Sequence, residues 1–168
     1  MTPPRYLPDE PFPPYAFVPG GRFPHPFSDP AGRGYNAPRE HPAVPDPDNW
    51  GASWAFLRGV DLFNHGYYWE AHEAWEGLWH ACGRRGVVAD FIKGLIQLAA
   101  AGVKHGEGVP QGVQTHARRA AELWRATARS LPTGGERFFG LRIGDLIDLA
   151  ETADWDGWPD FPALWLGN

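Results

Sequence analysis

The sequence predicts an all-α protein, a compact bundle of about five helices arranged as antiparallel hairpins behind a Pro-rich extended N-terminal arm. Three observations support this. From Trp54 to Leu131 apolar residues recur at helical spacing, and no strand-like alternation survives. The breaks between these stretches are short and carry the Asn, Gly and Pro residues that end or open helices. Most of the 18 prolines in the 168-residue chain precede Trp50.

Residues 1–48 form the arm. Proline lacks an amide donor and fixes φ, which excludes a helix or a central strand there. The arm also carries Tyr6, Phe12, Tyr15, Phe17, Phe23, Phe27 and Tyr35. Aromatic side chains are scarce in disordered segments because they bury large areas, so the arm is expected to pack across the helical body. The helical domain is expected over 49–168, with its central part at 54–131 and a short helix and tail at 132–168. Asp48 or Asn49 can cap a first helix over about 51–64, with Trp54, Leu57, Val60 and Leu62 on its apolar side. Asn64-His65-Gly66 stops it. A second helix spans about 68–81 and ends at Cys82-Gly83, and a third spans about 88–105. Pro110 opens the fourth, where a first-turn proline is well tolerated, and this helix reaches about Ser130. A fifth helix, about 143–153, precedes a Trp-bearing tail at 155–165.

Composition excludes some functions. The net charge of −5 argues against a general nucleic-acid binder, which shows a strongly basic face. The longest apolar stretch, near 94–103, falls short of the roughly 20 residues a membrane span needs. The single cysteine, Cys82, forms neither an internal disulfide nor a thiolate zinc site and reads as inert. No signal peptide is recognisable at the N-terminus. A soluble, cytoplasmic protein with neither membrane nor nucleic-acid partners is expected.

The second helix carries the polar chemistry. Ala71, Ala74, Trp75, Leu78, Tyr68 and Trp79 fall on one broad arc, and His72 and Glu76 sit one turn apart at its edge beside Trp79. A histidine and a carboxylate at that spacing can chelate one divalent metal, and this donor pair suits zinc, iron or manganese. Glu73 and His105 are further members of the constellation. The zinc-protease order His-Glu-x-x-His is absent, because position 76 is Glu; the di-iron order Glu-x-x-His is absent too. The structural alternative is that His72 and Glu76 hydrogen-bond to neighbouring helices, as buried polar groups must.

Trp69, Trp75 and Trp79 beside carboxylates could hold a cationic or aromatic molecule, although tryptophans at helical spacing more often form core. The third helix is apolar except for a stripe of Asp90, Lys93, Gln97 and Lys104, and it belongs at the centre of the bundle. Lys93 and Gln97 could face Glu70 or Glu73. Pro24-His25-Pro26 with Asp29 could reach over a site or form a surface turn. Arg118, Arg125 and Arg129 read as a solvated face.

The run Leu62-Phe-Asn-His-Gly-Tyr-Tyr-Trp-Glu-Ala-His-Glu-Ala-Trp-Glu-Gly-Leu-Trp79 resembles the hallmark of the bacterial and archaeal family called domain of unknown function 309. Lys93-Gly-Leu-Ile-Gln-Leu-Ala-Ala-Ala101, followed by His105, resembles its second motif. Gly112 with Arg118-Arg119-Ala120 resembles a third. The similarity covers about 54–131, and the region around Phe139-Gly140-Leu141 is similar to the family's C-terminal portion. The resemblance implies an all-helical fold of antiparallel helices and no particular reaction. Its motifs place Glu70, His72, Glu73, Glu76, Gln97 and His105 at positions able to carry chemistry.

The expectation is therefore a helical protein with a polar pocket for a small ligand or a divalent metal. Glu70, His72, Glu73 and Glu76 form one wall beside Trp79, and Lys93, Gln97 and His105 form the other. His72 and Glu76 are the metal-ligand candidates. One alternative is a metal-assisted or carboxylate-based hydrolase, with Glu73 or Glu76 as general base. Another is an interaction module in which the arm or the Trp-rich tail drives homo-oligomerisation.

Overall fold

In the computed structural model, residues 2–133, 135–152 and 163–167 are described. A 3-10 turn, Pro47–Ala52, leads into α1 (Trp54–Asn64), α2 (Tyr68–Ala81), α3 (Val87–Gly106) and α4 (Pro110–Ser130). The strands β1 (Arg137–Phe138) and β2 (Leu141–Arg142) and the helix α5 (Ile143–Thr152) follow. The all-α expectation holds. Ala153 and residues 155–162 of the expected tail lie outside the described residues.

Local chemistry sets the element ends. The sequence suggested one helix starting near Gly51, but Asn49 leaves helical geometry at φ −125° and breaks the run. Asp46 caps the 3-10 turn, and the Ser53 hydroxyl accepts from the Phe56 amide to start α1. Helices α2 and α3 close alike: Gly83 and Gly108 adopt positive φ, and the amides of Arg84 and Val109 reach back to the carbonyls of Trp79 and Lys104. The hairpin β1–β2 was not anticipated, because two-residue strands are too short to show alternation. Its turn drives Phe139, fully buried, against Phe56 and Phe91.

The core is centred on α3, which packs against both α2 and α4; α1 packs on α2, and α5 on α4. Its apolar surround is buried as expected, from Phe91 through Ala101. Two tryptophans lock the layers. Trp75 of α2 sits on Gly59 of α1, and Trp124 of α4 sits on Gly94 of α3; a Cβ at either glycine would lie 2.1 or 2.3 Å from the indole nitrogen. Each indole N–H donates to a backbone carbonyl of the facing helix, of Phe56 and Phe91 respectively.

No helix or strand occurs in the described part of the arm before Pro47. The arm nonetheless packs on the helices, and two buried carboxylates fix it. Asp61 of α1, with no exposed surface, accepts from the amides of Tyr6 and Leu7 and from Arg5. Glu70 of α2 accepts from the Phe17 amide and from Arg33. Tyr6, Leu7 and Phe12 pack against the core. The C-terminal residues join the arrangement: the Leu166 amide donates to the Tyr6 hydroxyl, and Asn64 exchanges two hydrogen bonds with the Leu164 backbone. None of the helices among the described residues is long and apolar enough to cross a membrane.

Candidate functional site

Helix α2 turns two different sides to its neighbours. Ala71, Trp75 and Leu78 are buried in the core. About 100° per residue then brings Glu70, Glu73 and Gly77 to the side covered by the arm, with His72 and Glu76 on the ridge between. The anticipated two-walled pocket is therefore split. Glu70, Glu73 and Glu76 line a cavity of about 710 Å³ beneath the arm. Lys93 and Gln97 line a separate groove of about 350 Å³ with Arg119. No ion pair forms between Lys93 and Glu70 or Glu73 among the described residues.

On the ridge, one ligand atom from each of His72, Glu73 and Glu76 lies within 4.8 Å of the others. The His72 Nδ1 is 3.7 Å from a Glu73 oxygen and 3.9 Å from a Glu76 oxygen. Both separations are too long for a hydrogen bond. The nitrogen is buried and has no hydrogen-bond partner, although all three side chains are partly exposed. Nδ1 itself makes no hydrogen bond to a neighbouring helix among the described residues. Donor atoms on one small cation at ~2.1 Å stand roughly 3–4 Å apart; both gaps from Nδ1 fall in that range, and all three donors lie within 4.8 Å of one another.

Glu70 is a different kind of residue. Its carboxylate is almost fully buried, 2.6 Å from Arg33, and it anchors the arm rather than joining the cluster. Its second oxygen has no hydrogen-bond partner. Glu73 lies 3.9 Å from a guanidinium nitrogen of Arg39, an exposed arm residue.

The tryptophans are accounted for by packing. Trp75 is core; Trp69 is packed edge-on by Phe17 and His25 and touched by Phe27; the Lys93 ammonium sits 4.0 Å over the Trp79 ring. His25 therefore closes a local turn, accepting from the Phe27 and Ser28 amides while its ring packs on Trp69. His105 is outside both cavities and outside the His72 cluster.

One residue escaped the sequence reading. His116 of α4 meets Gln97 at 2.8 Å through its Nδ1. With the Gln97 oxygen as acceptor, Nδ1 carries the proton and Nε2 keeps a lone pair. Burial holds the imidazole below its ordinary pKa, and the charges of Arg119, Lys104 and His72 add to this. The available signal was position: His116 stands beside Ala117 at the margin of the buried face of α4. Burial likewise pushes the Cys82 thiol up, in keeping with an unreactive side chain.

Residues 56–115 match the model of a family described as "Domain of unknown function (DUF309)". The resemblance carried by the two hallmark motifs is thus borne out over that stretch. It contains the whole His72–Glu73–Glu76 cluster, Gln97 and His105, and it ends one residue before His116. No curated protein matches the chain.

Proposed function

We propose that the protein binds a divalent cation of the Mn²⁺, Fe²⁺ or Zn²⁺ kind through His72, Glu73 and Glu76. The observation that carries this reading is the His72 Nδ1, buried, without a hydrogen bond, and facing two carboxylate oxygens across gaps of 3.7 and 3.9 Å. A neutral imidazole nitrogen desolvated without a partner is costly. A cation between the three groups offsets that cost and neutralises two adjacent carboxylates. One nitrogen with carboxylate oxygens is a donor set for Zn²⁺, Fe²⁺ or Mn²⁺ rather than for soft metals. Three protein ligands leave coordination positions for water or for a further ligand, the arrangement that both ligand capture and metal-assisted chemistry require.

The competing account is an imidazolium paired with the two glutamates and no metal. Isothermal titration separates them. Wild-type protein should take one equivalent of Mn²⁺ or Zn²⁺. His72→Ala and Glu76→Gln should each weaken it by more than the roughly 10–100-fold typical of losing an outer-shell partner. Bound cation should also raise thermal stability, by about 2.7 kcal/mol at a hundredfold excess over Kd. Absence of binding, or equal affinity in the variants, would leave the ion-pair account standing.

A further inference from the structure

We propose that the arm residue Arg39 and the cation held by His72, Glu73 and Glu76 together form a site for the phosphate group of a small organic phosphate. This rests on the metal reading above. Arg39 carries five N–H donors on its guanidinium, and among the described residues it makes no hydrogen bond. Its one ion pair, to Glu73 at 3.9 Å, is long, and its side chain is 68% exposed. The other two arginines lining the cavity are already committed. Arg33 bonds Glu70 and the Tyr15 carbonyl, and Arg58 bonds the carbonyls of Glu10 and Pro11.

The position of Arg39 is set by the chain. Pro38 and Pro42 bracket it, and the Pro42 ring lies against Gly77 of α2. Prolines narrow the backbone freedom of this strap, so the Arg39 backbone is set beside Glu73 at reduced entropic cost. Its plane also sits over the Phe27 ring at 5.0 Å.

Glu73 has an oxygen for each partner: Oε1 faces His72 and Oε2 faces Arg39. With Oε1 on the cation, Arg39 still stands beside the positive centre with most of its donors unused. An oxyanion would take them up. One oxygen fills an open position on the cation, and two others match the guanidinium fork. A phosphate has enough oxygens for both tasks. The cavity of about 710 Å³ is much larger than a phosphate and lies in the range of small-molecule sites. Phe27, Trp69, Pro38, Pro42 and Ala74 give it apolar walls, which suit the organic part of the ligand.

The experiment uses full-length protein and two readouts. Mn²⁺ occupancy is followed by water-proton relaxation; binding of phenyl phosphate and of inorganic phosphate is followed by calorimetry with and without Mn²⁺. Wild type should bind phenyl phosphate at least tenfold more tightly with Mn²⁺ than without it, and more tightly than it binds inorganic phosphate. Arg39→Ala should lose that gain while binding Mn²⁺ at least as well as wild type, because it removes a positive neighbour of Glu73. If Mn²⁺ binds but phenyl phosphate shows no gain, or shows the same gain in Arg39→Ala, this proposal fails and the metal reading stands. Equal affinity for both phosphates would overturn the organic-ligand assignment. A wild-type protein that takes no Mn²⁺ overturns both readings.

Discussion

Replacing Asp61 with alanine should detach the N-terminal arm. The carboxylate has no exposed surface and accepts three hydrogen bonds, from Arg5 at 3.1 Å, the Tyr6 amide at 2.8 Å and the Leu7 amide at 2.9 Å. Hydrogen bonds to a charged group contribute about 1.5–3 kcal/mol each. Their gross sum overstates the effect, because the released donors regain water. Breaking a buried pair by deleting one partner costs about 3–5 kcal/mol, since the remaining groups stay desolvated. The chain has an escape: the arm can lift off, which rehydrates Arg5 and both amides. The loss in global stability is then capped by the docking free energy of the arm. Urea unfolding gives the total, and hydrogen exchange resolves where it falls. The expected result is a loss of about 3 kcal/mol or more, with the Tyr6 and Leu7 amides exchanging freely while amides in α3 stay protected. A loss under about 1 kcal/mol, with both amides still protected, would refute the idea that Asp61 anchors the arm.

Two further predictions concern the helices. Gly59→Ala places a Cβ 2.1 Å from the Trp75 indole nitrogen and forces a fully buried ring to move. Overpacking of this kind costs about 1–3 kcal/mol, and the indole hydrogen bond about 1 more, against a gain of ~1 in helix propensity. The net loss should appear as a lower thermal midpoint, and an unchanged one would contradict the packing described. His116 gives a pH dependence. Its folded pKa lies below the ordinary 6.5, so the unfolded chain takes up a proton first as pH falls. Its contribution is fully present above pH 6.5 and declines as pH drops through the folded value. Urea midpoints between pH 8 and pH 5 should therefore fall less steeply in His116→Gln than in wild type.

The fold was legible because each helix carries its own punctuation. Gly83 and Gly108, and the spacing of Trp75, Leu78, Leu95 and Trp124, mark ends and faces without reference to anything distant. The His72–Glu76 edge was legible for the same reason, being contained in one helix. What the arm does was not legible residue by residue. Asp61 stands alone within the apolar run Val60-Asp-Leu-Phe63, an anomaly visible in the sequence, but its partners are more than 50 positions away. The pairing of Glu70 with Arg33 and of Glu73 with Arg39 has the same character. Helical periodicity puts the glutamates on the outer side of α2 but carries no information about an irregular strap laid over it. Gln97 and His116 meet only because α3 and α4 are antiparallel neighbours, a contact set by helix docking rather than by spacing within either helix.

The arm also determines which glutamates of α2 can act. Glu70, Glu73 and Glu76 lie within two turns of one helix, and unpaired they would repel one another. Arg33 pairs Glu70 at close range in a nearly dry setting, Arg39 leans loosely on Glu73, and among the described residues Glu76 has only His72. The gradient leaves Glu73 and Glu76 with lone pairs to offer and withdraws Glu70 from the site. Arg33→Ala tests this division. It strips the ion pair from a buried carboxylate and should cost about 3–5 kcal/mol, or the docking energy of the arm near Phe17 if that segment releases first. Its effect on Mn²⁺ affinity should be small, because no proposed ligand is touched. A fall in Mn²⁺ affinity as large as that caused by Glu76→Gln would show that Glu70 belongs to the metal centre and that the arm builds the centre rather than merely roofing the cavity.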